Sequence, residues 1–362
     1  MKKPKRALLV FFNGKSNAGG AERMVQYFDD YLQSRGLKTE ILDEAFLLNT
    51  FLGKFVKCLL TYRHFKKRKE IYLARLTSAY LWTRKSEKSR VVSNGESTPF
   101  FPVDLVISQG CYHVMERDYG RQSDKLSRVA NLQRLGCLRA KQIITVTEKV
   151  KRDLVTYYEL PPEKIQIVSS RVDTDFFKPL PQLPSAKKTV LYAGRLEPGK
   201  GLKDVQKLAS IIERQNEWKL LIACNNPGNT ELFDGLKNTQ VIIGLGLETI
   251  NSHAYSKADI VFFPSLSESF GMITIEALSA GVPVVATPVG IVPELVARHF
   301  PGVTVLEPFE DEAILHRFSE IVKTFRATVN RDELHELVKN EFGIESYRAR
   351  LDEVLDTSFL GQ

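Results

Sequence analysis

Asp259 to Thr287 reads DIVFFPSLSESFGMITIEALSAGVPVVAT. A short apolar run, DIVFFPS, gives way to the polar loop LSES, then to a helix-compatible stretch from about Phe270 to a stop at Gly281, then to a second apolar run, VPVVAT. Short apolar runs separated by a helix mark strands buried on both faces, the pattern of a parallel sheet with helical crossovers. The rest of the second half repeats it in TVLYAG from Thr189, WKLLIAC from Trp218, VIIGL from Val241 and VTVLEP from Val303.

The first half alternates in the same way. ALLVFF from Ala7 runs through the loop NGKSNAGGAER into a helix pattern with Val25, Phe28 and Leu32 on one face and Gly36 as its stop. TEILD from Thr39, VDLVIS from Val103 and QIITVT from Gln142 are further strands. Three prolines interrupt the alternation in KPLPQLPSAKK, Lys178 to Lys188, which therefore reads as a linker. A chain of 362 residues exceeds what one core usually supports. The expectation is an α/β protein of two Rossmann-like doubly wound domains facing across a cleft, residues 1–180 and 181–344, with ligand at the carboxyl ends of the strands.

The quoted stretch also carries two carboxylates, Glu268 before the helix and Glu276 within it. The unpaired N–H groups of Gly271, Met272 and Ile273 at the helix start, reached through Ser269 and Phe270, form an anion site suited to a phosphate. An acidic residue beside a diphosphate is tolerable where it accepts hydrogen bonds from hydroxyls, which a ribose offers to Glu276 and a sugar to Glu268. The plainer alternative makes Glu268 a helix cap and Glu276 a solvated helix residue. GRLEPGKG, Gly194 to Gly201, approaches a P-loop, but Gly201 stands where Ser or Thr would hold Mg²⁺. Arg195 and Lys200 can still neutralise a diphosphate, or can be two solvated loop cations. Gly19 and Gly20 in NAGGAER permit close backbone approach to a ligand, or simply make a turn. Asp173 and Asp175 in DTD mimic a metal motif with no strand end to present them, and no metal or cofactor is expected.

Apolar residues make up 43% and charged residues 26%, the composition of a globular chain and not of a disordered one. Cys58, Cys111, Cys137 and Cys224 form no paired motif, so a reducing cytoplasm is expected. MKKPKRALLVFFNGK is basic, but its apolar run ends at Phe12, so it reads as a first strand and not as a signal peptide. No run is long and apolar enough to cross a bilayer. The net charge of +8 is concentrated: Gly53 to Arg90 holds twelve Lys or Arg against two Glu, a local +10. Within it Phe55, Leu59, Tyr62 and Phe65 recur at helical spacing beside Lys66, Lys67, Arg68 and Lys69. Such a segment suits docking on the anionic cytoplasmic face of an inner membrane or gripping a phosphorylated acceptor. Otherwise the apolar positions face the domain core. Nucleic acid is not an expected partner, because no nucleic-acid motif accompanies the charge.

FPSLSESFGMITIEALSAGVPVVATPVG resembles the E-x7-E signature of the retaining glycosyltransferases of family 4, with Glu268 and Glu276 in its two positions; AGRLEPGKG, NAGGAER and ADIVFFPS resemble other parts of the same family. The resemblance implies the GT-B fold and a nucleotide-diphosphate sugar donor, UDP-linked, held mainly by the C-terminal domain. It implies transfer with retained anomeric configuration and no required metal, onto a lipid-linked or lipopolysaccharide-core glycan, with a soluble glycoside as the alternative product. In such a family the first glutamate contacts the donor sugar and the second the ribose, while Arg195 and Lys200 stabilise the departing diphosphate. His113, after the strand VDLVIS, stands where these enzymes carry a histidine near the reaction, or is a structural residue at a strand end. The helix ESYRARLDEVLDTS, within residues 345–362, would return to the first domain. The chain departs from the family pattern at Ser170 to Asp173, Ser-Arg-Val-Asp in place of Asn-Gly-Val-Asp, and at CNNPG in place of a glycine-rich turn.

Overall fold

The computed structural model describes residues 4–14, 20–86, 88–118, 123–181, 185–225, 227–355 and 357–360, and the chain divides into two compact units, residues 1–169 with 348–362 and residues 170–347. In the first unit β1 (Arg6–Val10), β2 (Lys38–Leu42), β3 (Ser89–Ser93), β4 (Leu105–Ser108), β5 (Gln142–Thr145) and β6 (Ile165–Ile167) form one parallel sheet in the order β2-β1-β3-β4-β5-β6. Leu8, Leu9 and Val10 of β1 and Val91 and Val92 of β3 are fully buried, as strands covered by helices on both faces require. Residues 348–362 complete this unit: the Tyr31 hydroxyl donates to Asp352 at 2.7 Å, Arg35 pairs with the same carboxylate, and Gln142 Nε2 donates to the Val354 carbonyl at 2.8 Å.

The second unit holds β7 (Lys188–Ala193), β8 (Trp218–Cys224), β9 (Thr239–Ile243), β10 (Ile260–Phe263), β11 (Val284–Ala286) and β12 (Val303–Val305), all parallel, in the order β12-β11-β10-β7-β8-β9. Its core gathers Trp218, Phe262 and Phe318, whose rings meet at 6.0 to 6.1 Å. The strand order reverses between β7 and β10, so the loops after these two strands part and leave a crevice at their carboxyl ends. In the first sheet the reversal falls between β1 and β3.

The boundary lies earlier than the proline run suggests. Residues 170–180 belong to the second unit: Val172 N–H donates to the Phe342 carbonyl at 2.8 Å, Asn251 Nδ2 donates to the carbonyls of Phe176 and Lys178, and buried Phe177 packs edge-on against Tyr255 at 5.6 Å. The basic segment is the crossover from β2 to β3, folded as helices Phe51–Leu59, Arg63–Lys66 and Lys69–Arg84.

Candidate active site

The loops after β7 and β10 are locked to each other. Leu266 N–H donates to the Gly199 carbonyl at 3.1 Å, and the Tyr192 hydroxyl donates to the Arg195 carbonyl at 2.6 Å, fixing the first loop from below. Burial pushes the Tyr192 phenol well above its ordinary pKa, so it remains a donor. Gly201 shows why no hydroxyl residue stands in the near P-loop: its φ is +77°, and a Cβ there would lie 2.2 Å from the Pro264 carbonyl oxygen. That close approach brings Lys200 Nζ to 2.6 Å from Glu268 Oε1, and the Ser265 hydroxyl donates to the same oxygen at 2.8 Å. Both side chains of the ion pair are mostly buried, 19% and 15% exposed. Lys200 is therefore not a solvated loop cation. Arg195, by contrast, is 58% exposed and pairs with Glu197 at 3.1 Å, a contact weak enough to yield to a better anion.

The helix after β10 runs Met272–Ser279, starting two residues later than expected, with Gly271 before it and no side-chain cap. Glu268 is thus not a cap; its carboxylate belongs to Lys200 and Ser265. Glu276 is not solvated either, being 4% exposed, and its Oε2 accepts from the Tyr255 hydroxyl at 3.1 Å. Ser269, Phe270, Met272 and Ile273 line the entry to this helix, with Phe270 packed on Phe342 at 6.3 Å. Residues 287–290, TPVG, close the site from the β11 side: Thr287 Oγ1 donates to the Ser265 carbonyl, and Ile291 N–H donates to the Phe270 carbonyl at 2.8 Å. A Cβ on Gly290 would stand 2.2 Å from that same carbonyl oxygen. Sequence reasoning passed over Tyr255, Ser265 and Gly290. Gly290, beyond the strand that follows the glutamates, was the one with a visible signal.

Elsewhere the outcome is mixed. Gly19 lies outside the described residues, and Gly20 opens the helix Gly20–Ser34. His113 is exposed on the helix Tyr112–Asp118, its ring 5.1 Å from that of Tyr157 in the first unit. Asp173 Oδ1 accepts from the N–H groups of Asp175 and Phe176, which closes a turn. Among the described residues no group of three or more His, Cys, Asp or Glu is arranged to hold a metal ion. In the basic segment the expected apolar face is broken at Leu60–Tyr62, and Phe65 packs on Tyr72 at 5.4 Å. Lys69 is committed to Glu44 at 2.6 Å, while Lys66, Lys67 and Arg68 are exposed. Phe51, Leu52 and Phe55 are exposed on the helix Phe51–Leu59, Phe51 by 91%. Its buried residue is Gly53, which leaves no room for a Cβ against the Leu47 carbonyl.

Two reversed parallel sheets, the second with a lysine-glutamate pair at its switch point, define the GT-B class of glycosyltransferase fold. Sucrose-phosphate synthase from Thermosynechococcus elongatus shares it at TM-score 0.74 and 17% identity, covering 96% of this chain and 98% of that one. So does Anabaena Alr3699/HepE, solved with UDP and glucose, at TM-score 0.63 and 15% identity, covering 96% and 98%. Residues 18–176 match the model of Glycosyltransferase Family 4 and residues 173–339 that of glycosyl transferases group 1, so that the two glycosyltransferase models together span most of the chain. A D-inositol 3-phosphate glycosyltransferase of Corynebacterium efficiens is 30% identical over 182 residues, 44% of this chain and 43% of its own length. The chain spans about half the length of the curated relatives it matches.

Proposed function

We propose that the chain is a retaining glycosyltransferase that moves a hexose or N-acetylhexosamine from a UDP-sugar to a lipid-linked or lipopolysaccharide-core glycan. The observation that carries the reading is the Lys200–Glu268 pair at the β7/β10 switch point, with buried Glu276 about one turn into the following helix. Lys200 has three N–H donors and gives one to Glu268, so the others can take diphosphate oxygens, joined by Arg195 and the N–H groups of Gly271, Met272 and Ile273. Glu276, bound by a phenol on one oxygen, accepts the ribose hydroxyls. Glu268, held facing the same loop, accepts a hydroxyl of the sugar. As the bond from sugar to diphosphate breaks, negative charge grows on the phosphate oxygens, where fixed cations stabilise it most. The UDP complex of the Anabaena neighbour supports the nucleotide.

The test is thermal stabilisation by a panel of nucleotide sugars. A ligand that binds only the native state, at a hundred times its Kd, adds about 2.7 kcal/mol of apparent stability, and UDP-sugars are expected to raise Tm by a few degrees above their GDP and ADP counterparts. A chain that answers to no sugar nucleotide is not this enzyme.

For the acceptor, the exposed Phe51, Leu52 and Phe55 beside Lys54, Lys57, Lys66, Lys67 and Arg68 favour a lipid-linked molecule. Apolar side chains at the interface, with about 1 kcal/mol per cation near anionic lipid, give reversible docking. Among the described residues no helix is long and apolar enough to cross a membrane. The inositol phosphate relatives favour a soluble acceptor instead. Sedimentation with vesicles of rising phosphatidylglycerol content separates the two: the chain is expected to pellet at low salt, and Phe51→Ser with Phe55→Ser to stay in solution. Wild-type protein indifferent to anionic lipid leaves the soluble glycoside as the product.

A further inference from the structure

The loop after β7 places a carboxylate between the two cations assigned to the diphosphate. Leu196 is buried in the core of the second unit, while its neighbours Arg195 and Glu197 stand out from it, 58% and 36% exposed, with the guanidinium 3.1 Å from Glu197 Oε1. The backbone beneath them is held at every residue. Gly194 N–H donates to the Ala223 carbonyl at 2.9 Å, the Tyr192 hydroxyl to the Arg195 carbonyl at 2.6 Å, Asn229 Nδ2 to the Leu196 carbonyl at 2.7 Å and Lys200 N–H to the Glu197 carbonyl at 2.9 Å. Glu197 N–H donates in turn to the Arg195 carbonyl at 2.9 Å. A loop fixed in this way keeps Glu197 beside Arg195. The guanidinium gives one N–H to Glu197 and has others in its fork for a phosphate, so carboxylate and diphosphate would share one cation.

The charges show what that sharing does. Arg195, Glu197, Lys200 and Glu268 are two cations and two carboxylates, paired off at 3.1 and 2.6 Å, and these four groups sum to no net charge. In the reaction the bond from the anomeric carbon to the diphosphate oxygen breaks and its electron pair stays on that oxygen. The bond to the acceptor oxygen forms in its place, and the hydroxyl proton is lost to water. The freed terminal phosphate has its second ionisation at about pH 6, so at neutral pH UDP carries about one negative charge more than a UDP-sugar. A carboxylate held on the same guanidinium repels UDP the more of the two.

We propose that Glu197 is a product-release residue: its carboxylate, shared with the diphosphate on Arg195, weakens the hold on the nucleoside diphosphate product more than the hold on the nucleotide sugar. This rests on the glycosyltransferase reading, in which Arg195 meets the diphosphate, and adds to it a discrimination between donor and product.

Calorimetric titration of the full chain with UDP and with UDP-glucose tests it. Glu197→Gln removes the charge at unchanged size and is expected to tighten UDP about two- to five-fold, the worth of one exposed ion pair, and UDP-glucose by less. Glu197→Lys is expected to carry both changes further in the same direction. The inhibition constant of UDP in steady-state kinetics should fall in step with its Kd. Raising the salt should shrink the difference between wild type and Glu197→Gln, because exposed charges are screened; a structural role for the side chain would not respond in this way. Thermal unfolding without ligand, close to wild type in both variants, shows that they fold. UDP bound no more tightly by Glu197→Gln, UDP and UDP-glucose tightened equally, or a difference that survives high salt overturns the proposal while leaving the donor reading standing. Wild-type protein that binds neither ligand removes both.

Discussion

Glu268→Ala is expected to lower kcat by about a hundred- to a thousand-fold, the range seen when one preorganised polar group is removed from a transition state, while affinity for UDP itself holds or improves. The asymmetry follows from the ion pair. Lys200 now gives one N–H to Glu268 at 2.6 Å; without the carboxylate that donor is free for the diphosphate, and ground-state binding of UDP does not suffer. Ser265 remains to satisfy itself on the Gly199 carbonyl at 3.3 Å, so the loop survives. Glu276→Gln should do the reverse. It keeps the volume and an acceptor for the Tyr255 hydroxyl but loses the charge that strengthens bonds from the ribose, so the donor KM rises about ten- to a hundred-fold with kcat little changed. Calorimetric titration with UDP beside steady-state kinetics decides both; wild-type turnover in Glu268→Ala, or an unchanged donor KM in Glu276→Gln, removes the assigned roles.

Gly201→Ala should damage stability and donor binding together. Its φ of +77° costs an L-residue about 1–3 kcal/mol. The added methyl meets backbone, the Pro264 carbonyl at 2.2 Å, and cannot be accommodated by a rotamer change; overpacking of this kind costs about 1–3 kcal/mol more. The two loops must part, drawing Lys200 off Glu268. Urea unfolding should show a midpoint well below wild type, and the UDP-sugar Tm shift should shrink. A variant of wild-type stability that retains the shift would mean that the contact between the loops is not what orders the site.

The second unit was legible almost strand for strand, because each of its strands is a short, mostly apolar run bounded by polar loops, from TVLYA to VTV. β3 and β6 were not. SRVVS brings two serines and an arginine into a buried strand and directly follows the basic crossover, while IQI is three residues long. The two glutamates and the lysine were visible through their spacing around glycines. Their pairing was not, since it depends on two loops from strands far apart in sequence meeting at Gly201 and Pro264. Tyr255 was hidden for the same reason: an aromatic residue in a short 3-10 turn carries no mark of the carboxylate that its fold partner supplies. Residues 170–180 misled because prolines at a linker and prolines in a strap bound to a core look alike. The hydrogen bonds from Asn251, the Val172–Phe342 bond and the packing of Phe177 on Tyr255 tell them apart.

The return of residues 348–362 to the first unit has a consequence for how the chain is made. At roughly 5–20 residues per second, the second unit takes on the order of ten seconds or more to emerge. Throughout that time the first sheet must wait without the partners of Tyr31, Arg35, Arg90 and Gln142, all of which arrive last. The nascent first unit is therefore an incomplete body on the ribosome, open to chaperones and proteases, and its final closure is a late step that reports that translation has reached the end of both units.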